Sequence, residues 1–386
     1  MKFKIPDYTK VKISTLIVFG LLFGLIFNAP IQYCCNNIRL MYIGLLFIGI
    51  TLTIKKHLHE KSYIDSYIFL YFIIVLSMIS LSLSTMPKDI AVKELYAGIS
   101  IVLGFFAFLY FEKFKSILKI LILINFLVMI NDVYSGEYLF NFDPIGNYYQ
   151  IDRGKGLFGY SKSAGAFLIF AALIFRKDRT TMFVILLSSI MSGSRSAMIF
   201  VLLVFLIDYL IDIKQNITFK QVIYFLSIMS ISSFLMYLYF LDHIGMWYRI
   251  QGSFNFSDSG THGYRFYIWN EYLKVINDFN IFHLLFGNTA YANNYLGNGA
   301  ENAFLTVLAN NGLIMFLIFF VPILFFSVLS VINFRLFYPF ILLLGIFQFG
   351  RQGLGWADGI LLWAYIYSIL YSNYFQTILS RITKQA

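Results

Sequence analysis

The stretch LIMFLIFFVPILFFSVLS, residues 313–330, contains no charged side chain and is apolar at almost every position. A helix needs about 20 mostly apolar residues to cross the hydrocarbon core of a bilayer. A helix on the surface of a soluble protein would instead alternate apolar and polar faces. Because this stretch has no polar face, it predicts a helix that crosses a membrane.

The rest of the chain repeats this pattern. Of its 386 residues, 59% are hydrophobic and 12% are charged, which is too apolar for a soluble core to bury. Apolar runs bounded by charges or turn residues lie at about 11–27, 39–54, 63–84, 91–111, 115–130, 159–175, 180–192, 196–213, 220–241, 313–330, 336–349 and 357–373. We therefore predict an all-α polytopic membrane protein with about 12 transmembrane helices, which form a single domain over residues 1–386.

The positive charges predict the orientation of these helices. If the amino terminus is cytoplasmic, 18 of the 29 Lys and Arg residues lie on the cytoplasmic side, as the positive-inside rule requires. Both termini are then cytoplasmic. No small-residue cleavage pattern follows the first apolar run, so we expect a retained helix rather than a signal peptide. The predicted cytoplasmic location of most Lys and Arg residues accounts for the net charge of +10, so we predict no nucleic-acid partner.

This orientation places two long loops, residues 131–158 and 242–312, on the outer side of the membrane. Long loops in a compact chain are usually functional, and we expect the second to be catalytic. The second loop contains a predicted amphipathic helix from Tyr264 to Asp278, which we expect to lie along the membrane surface. Its apolar positions are Phe266, Trp269, Leu273 and Ile276, and its polar positions are Glu271, Lys274 and Asp278.

Three residues of the predicted outer side carry the strongest chemical signals. Arg195 lies in a small-residue hairpin, Ser192–Ala197, where an arginine near hydrocarbon binds either lipid headgroups or an anionic ligand such as phosphate. Arg265 lies one turn before Trp269 and has the same two interpretations. Glu301, followed by Asn302, either complements a helix dipole or serves as a general base.

Weaker signals for substrate contact come from other polar residues of the outer loops and helix ends. These are Arg153, Lys155, Tyr160, Lys162, Arg249, Trp269, Asn302 and Arg351. The five histidines form no metal-type constellation, and no pair of acidic residues is spaced like the metal site of a sugar-nucleotide glycosyltransferase. We predict neither a metal nor another cofactor.

In their order along the chain, these motifs resemble bacterial O-antigen polymerases (Wzy-type) and O-antigen ligases. The similarity covers roughly residues 155–330. It consists of the Ser-Gly-Ser-Arg195-Ser hairpin, the Arg265 to Trp269 spacing before Leu285-Phe286-Gly287, and Glu301-Asn302 leading to Asn311-Gly312-Leu313. Each motif is short, and the shared order together with the predicted topology makes the match specific.

This resemblance implies a GT-C-like glycosyltransferase at the outer face of the bacterial cytoplasmic membrane. Its substrates are undecaprenyl-diphosphate-linked glycans, which serve as donor and acceptor in building O-antigen or capsule, and a flippase and a chain-length regulator are the implied partners. Arg195 and Arg265 would hold the diphosphate and stabilise its charge as it leaves, without a metal ion. Glu301 would be the base, although it stands where ligases carry histidine.

That departure favours a polymerase over a ligase, which transfers a finished glycan to an acceptor such as lipid A core. A transporter or flippase of lipid-linked oligosaccharide remains as an alternative from another class. Transporters tend to keep ionisable residues near the middle of the membrane and often contain repeated halves. The unusual charged residues of this chain are instead predicted at the outer face.

Overall fold

The computed structural model describes residues 88–136, 138–140, 153–159, 161–213, 264–288, 302–348, 356–372 and 375. Within these ranges all regular structure is helical and no strand occurs. The helices are α1 Lys88–Leu109, α2 Phe111–Ser135, α3 Ser161–Phe175, α4 Arg179–Met191, α5 Arg195–Ile213, α6 Tyr264–Asn277, α7 Ile281–Phe286, α8 Ala303–Leu329, α9 Phe334–Gln348 and α10 Trp356–Leu370, with a 3₁₀ turn at Gly156–Phe158. The helices predicted at 11–27, 39–54, 63–84 and 220–241 lie outside the described residues.

Two of the described helices, α2 and α8, are long and apolar enough to cross a membrane. Both leave large apolar side chains exposed, as a surface in contact with lipid does. On α2 these include Ile120, Leu123 and Leu127, and on α8 they include Val321, Leu324 and Val328. The apolar helices α3, α4 and α9 are shorter than a typical span.

Helix α3 lies at the centre of the described bundle. Every residue from Ala164 to Phe175 is buried, and the helix contacts α4, α5, α10 and the 3₁₀ turn. On one side of this core, α1 packs along α10 at Gly104, where a Cβ would overlap the side chain of Trp363. Small residues at helix contacts let backbones approach closely, which is typical of membrane proteins.

Two helix boundaries differ from the sequence prediction for identifiable reasons. Helix α2 continues to Ser135 and ends at Gly136, whose φ of 65° is left-handed, so the first five residues of the expected loop 131–158 are helical. Helix α8 begins at Ala303 rather than at 313, because the Asn302 side chain caps it. Gly312, with φ of 76° and ψ of −179°, then breaks the helix where the sequence predicts its start.

The amphipathic helix is confirmed at Tyr264–Asn277, and one of its faces packs on α8. The residues buried against α8 are Ile268, Tyr272, Val275 and Ile276. Phe266 and Leu273, which belong to the predicted apolar stripe, are 59% and 46% exposed. The helix therefore has two apolar faces, one packed on the protein and one open, beside the Glu271–Lys274 ion pair.

One end of the bundle, which we call the paired end, collects charges in ion pairs. The Asp212 carboxylate binds Arg335 at 2.7 Å and Arg179 at 3.4 Å, and the Lys119 Nζ lies 2.8 Å from the Asp178 Oδ2. These contacts join α2, through its third turn, to the start of α4, and join the first turns of α4 and α9 to the end of α5. The sequence prediction assigns this end to the cytoplasm.

Candidate functional site

The opposite end of the bundle, which we call the loop end, contains residues 153–159, the start of α3 and the hairpin between α4 and α5. Two side chains of α2 hold the loop there. The Asp132 Oδ2 accepts hydrogen bonds from the backbone N–H groups of Lys155 at 2.9 Å and Gly156 at 2.7 Å. The Asn125 Oδ1 accepts one from the Leu157 N–H at 3.0 Å. Because Asn125 and Asp132 lie two turns apart on one buried face, they fix the path of the loop.

Glycine is required within this loop. Gly156 has a left-handed φ of 56°, and a Cβ at this position would overlap the Asn125 Oδ1. The Lys155 side chain next to it is buried, and its Nζ lies 4.2 Å from the centre of the Tyr138 ring, within the range of a cation–π interaction. The loop is thus held by specific contacts and carries a buried cation.

The hairpin between α4 and α5 is tight and packs closely against its neighbours. Gly193 at its tip has a φ of 59°, and the Ser192 Oγ accepts a hydrogen bond from the Ser194 N–H at 3.2 Å. The Gly154 N–H donates to the Met191 carbonyl oxygen at 2.9 Å, which joins the loop to the end of α4. Gly165 of α3 lies so close to Ser194 that a Cβ at Gly165 would overlap its side chain. Small residues here let the loop, the hairpin and α3 pack closely together.

Arg153 occupies the junction of these segments. Its side chain is 7% exposed, and its Cγ, Cδ and Nε lie 3.1–3.2 Å from the position that a Cβ on Gly193 would take. Its Nη1 lies 3.5 Å from the Oγ of Ser161, the first residue of α3. Among the residues that the structure describes, no carboxylate forms an ion pair with Arg153.

Two helix N-termini reinforce the positive charge at this point. Helix α3 begins at Ser161, which Arg153 contacts, and α5 begins at Arg195, two residues after Gly193. The first turn of a helix carries unsatisfied N–H groups and the positive end of the helix dipole, which together favour anions. A buried guanidinium beside two such ends suits an anionic ligand with several oxygens, such as a phosphate or diphosphate.

The structure describes some of the predicted site residues and not others. Arg195 is the first residue of α5 and Arg265 the second of α6, and for both the structure describes the backbone position alone. Lys162 is exposed in the first turn of α3. Glu301, Tyr160, Arg249 and Arg351 lie outside the described residues, so their predicted roles remain predictions.

Two further predicted residues have structural contacts. The Asn302 Oδ1 accepts a hydrogen bond from the Leu305 N–H at 3.1 Å and so caps α8. Trp269 is partly buried and meets the Phe266 ring edge to face, with ring centres 5.2 Å apart. Their predicted contacts with substrate remain untested.

The loop end therefore brings Arg153 against Gly193, two residues before Arg195, and the two arginines were separate predictions on the sequence. Sequence reasoning did not single out Asn125 and Asp132, which position the loop. Their signal was two polar residues, two turns apart, in a stretch of α2 over 120–132 whose other polar residue is Asn131.

Comparison of the chain with protein-family models, curated proteins and solved structures finds no match. The class that the fold defines is that of helical proteins with helices long and apolar enough to cross a membrane, and the residues of the site are the basis for a functional assignment.

Proposed function

We propose that this protein is a membrane glycosyltransferase that polymerises undecaprenyl-diphosphate-linked oligosaccharide repeat units into a surface polysaccharide. In this proposal about 12 helices with a GT-C-like arrangement cross the bacterial cytoplasmic membrane, and the loop end faces outward. The donor and the acceptor are both lipid-linked glycans, and no metal takes part.

The observation that carries the proposal is the environment of Arg153. Its guanidinium is buried, lies beside two helix N-termini and has no ion-pair partner among the described carboxylates. Burying a charge without a partner costs several kcal/mol, so such a group is retained where a ligand of opposite charge binds. The diphosphate of a lipid-linked sugar is an anion that reaches a protein from the membrane surface, and its oxygens match the planar donors of arginine.

The chemistry follows from this position. A hydroxyl group of the acceptor glycan attacks the anomeric carbon of the donor, and the bond between that carbon and the diphosphate oxygen breaks. The electron pair leaves with the diphosphate, and the proton of the hydroxyl passes to a base, for which Glu301 is the candidate from the family resemblance. Arg153, with Arg195 at the start of α5, would stabilise the charge that develops on the leaving group.

The positions of the ionisable residues support an enzyme over a transporter. In the described helices the unusual charged groups lie toward the helix ends, with Asp212 and Arg335 at the paired end and Asp132 at the loop end. Transporters of charged substrates tend to keep such residues near the middle of the membrane. This distribution suits a binding site at the membrane surface.

The test is the lipid-linked glycan that accumulates when the gene is deleted. A polymerase predicts single undecaprenyl-diphosphate repeat units at the outer face, together with loss of long-chain polysaccharide, and both effects are reversed by the wild-type gene. Long lipid-linked polymers in the deletion strain would identify a ligase. Repeat units retained at the cytoplasmic face would identify a flippase, and in either case the proposal is wrong.

A variant separates bond formation from translocation in the same cells. Arg195→Ala removes a proposed diphosphate contact, so chain extension should be lost while single repeat units still reach the outer face. Loss of translocation itself in this variant would argue for transport.

A further inference from the structure

The break in α8 at Gly312 lies against the segment that follows α7. Gly287, with φ of 82°, and Gly312 meet backbone to backbone, and a Cβ on either would overlap the main chain of the other segment. The Asn288 N–H donates to the Ala309 carbonyl oxygen at 2.8 Å. A broken helix leaves backbone groups near the break without their usual helical partners. In membrane proteins, breaks of this kind line binding sites.

Polar side chains cluster at this break. Thr306 and Asn310 lie one turn apart on one face of α8, and they are 2% and 1% exposed. Asn288 is 6% exposed and lies beside the same turn of α8. We call these three residues the polar seam.

The seam separates two apolar clusters. On one side of it Ala303 and Val307 belong to the main core, and on the other side Ala309 packs with residues of α6. A position between two apolar clusters would ordinarily be occupied by an apolar side chain, because a buried polar group needs a partner to offset its lost hydration.

Two polar atoms of the seam, one on Thr306 and one on Asn288, are unsatisfied within the described structure. The Thr306 Oγ1 and the Asn288 Oδ1 are buried and have no hydrogen-bond partner among the described residues. Leaving a buried acceptor or donor unsatisfied destabilises a folded protein, because the group loses its hydration without gaining a partner. Such groups in a native protein call for an explanation, and a polar ligand is one.

The chemistry of the seam indicates the kind of ligand. Amides and a hydroxyl both donate and accept hydrogen bonds, as sugar hydroxyl groups do. The seam itself contains no charged side chain, so it lacks the carboxylates that hold a divalent cation and the cations that hold a phosphate. A neutral ring with several hydroxyl groups satisfies this set.

We propose that the polar seam of Asn288, Thr306 and Asn310 is a subsite for a neutral sugar residue, separate from the anion site at Arg153. The inference deepens the proposed function and rests on it for the identity of the glycan. It assigns recognition of the sugar to the break in α8 and recognition of the diphosphate to the loop end. Since the seam is closed in this structure, a sugar enters when α7 and the segment after it separate from α8 where Gly287 and Gly312 meet.

The test measures sugar binding to the full chain in lipid nanodiscs by saturation-transfer NMR. The probes are glucose, galactose, rhamnose, N-acetylglucosamine and lactose, with inorganic pyrophosphate as the probe for the Arg153 site. Thr306→Val keeps the shape of the side chain and removes the hydroxyl group. The matched control is Ser327→Ala on the same helix, whose Oγ already donates to the Ile323 carbonyl oxygen at 2.8 Å.

We expect Thr306→Val to weaken binding of the best sugar by about 3- to 10-fold, the effect of one hydrogen bond. Pyrophosphate binding should not change, and Ser327→Ala should bind sugar as the wild type does. Because Thr306→Val removes an unsatisfied buried hydroxyl group, its unfolding temperature should equal or exceed that of the wild type. A purely structural role predicts the same stability effect but no loss of sugar binding.

Asn288→Leu provides a second variant at the other side of the break, and it should also weaken sugar binding. The seam proposal is overturned if the wild type binds none of the sugars, or if both variants bind them as the wild type does. Its failure is distinguishable from failure of the proposed function. Sugar binding that depends on Thr306 in a protein that extends no lipid-linked glycan would keep the seam and reject the polymerase.

Discussion

The two ends of the helical bundle treat their charges differently. At the paired end, Asp212 binds two arginines and Asp178 binds Lys119, with side chains between about a third and a half exposed. At the loop end, Arg153 is far more buried. Its hydrogen-bond partner among the described residues is the neutral hydroxyl group of Ser161 rather than a carboxylate. Exposed ion pairs contribute little and serve the fold, whereas a buried cation without a carboxylate is costly. On this difference rests our proposal that an anionic ligand binds at the loop end.

Of the expected changes in ligand affinity and stability, the largest distinguishes an arginine at the loop end from one at the paired end. Arg153→Ala should raise the dissociation constant for geranyl diphosphate by about 10- to 100-fold, since it removes charge-assisted hydrogen bonds to the ligand. Arg335→Ala should change this constant less than about twofold. Arg335 lies at the paired end, away from the proposed ligand, and the exposed ion pair that it loses is weak. Both constants come from titration of the purified protein in nanodiscs. Equal affinities in the two variants would remove the distinction between the ends.

A pair of glycines tests how far the loop end depends on close packing. Gly165→Ala places a methyl group against Ser194, and such overpacking should lower the free energy of unfolding by about 1–3 kcal/mol. Gly345 of α9 has open space at its Cβ position, so Gly345→Ala should be neutral or stabilising by up to about 1 kcal/mol. Thermal unfolding in detergent measures both variants. Similar stability in the two would show that the contact of α3 with the hairpin is loose.

The smallest effect concerns pH at the paired end. Burial alone would raise the pKa of the Asp178 carboxyl, but hydrogen bonds from Lys119 and Thr181 together lower it below its ordinary value. A carboxyl whose pKa is lowered in the folded protein stabilises it above the ordinary carboxyl pKa, and this contribution disappears as the pH falls through the folded-state pKa.

Asp178→Asn keeps the helix cap of α4 and removes the charge. We expect it to be less stable than the wild type by under about 1 kcal/mol at pH 7, because Lys119 is 53% exposed, with no difference once the carboxyl is protonated. Unfolding temperatures at several pH values measure the difference. A difference that persisted at low pH would assign the effect to the cap rather than to the ion pair.

Much of the described fold could be predicted from the sequence because long apolar runs next to charges have few alternatives to a helix. The runs predicted at 159–175, 180–192 and 196–213 are found at α3, α4 and α5 within two residues of each boundary. The break at Gly312 could not be predicted, since hydropathy does not report a backbone angle. The contact of α6 with α8 could not be predicted either, because the helix is apolar on two sides and the pattern alone does not show which side meets α8.

The candidate site was predictable only in its cations. Arg153 and Arg195 stood out as charges beside apolar runs, whereas their proximity depends on contacts between distant segments. Asp132 reaches Lys155 across 23 positions, and Gly165 meets Ser194 from a different helix. Such pairings arise from the packing of helices around α3, and no local pattern encodes them.

The most direct test of the account is reconstitution of the purified protein with one lipid-linked repeat unit as its sole substrate. The account predicts a ladder of longer undecaprenyl-diphosphate glycans, release of free undecaprenyl diphosphate in step with each added unit, and a rate about 100- to 1000-fold lower in Arg153→Ala. A wild-type protein that leaves the repeat unit unextended, or an Arg153→Ala variant that extends it at the wild-type rate, would contradict the assignment of the loop end as the site of catalysis.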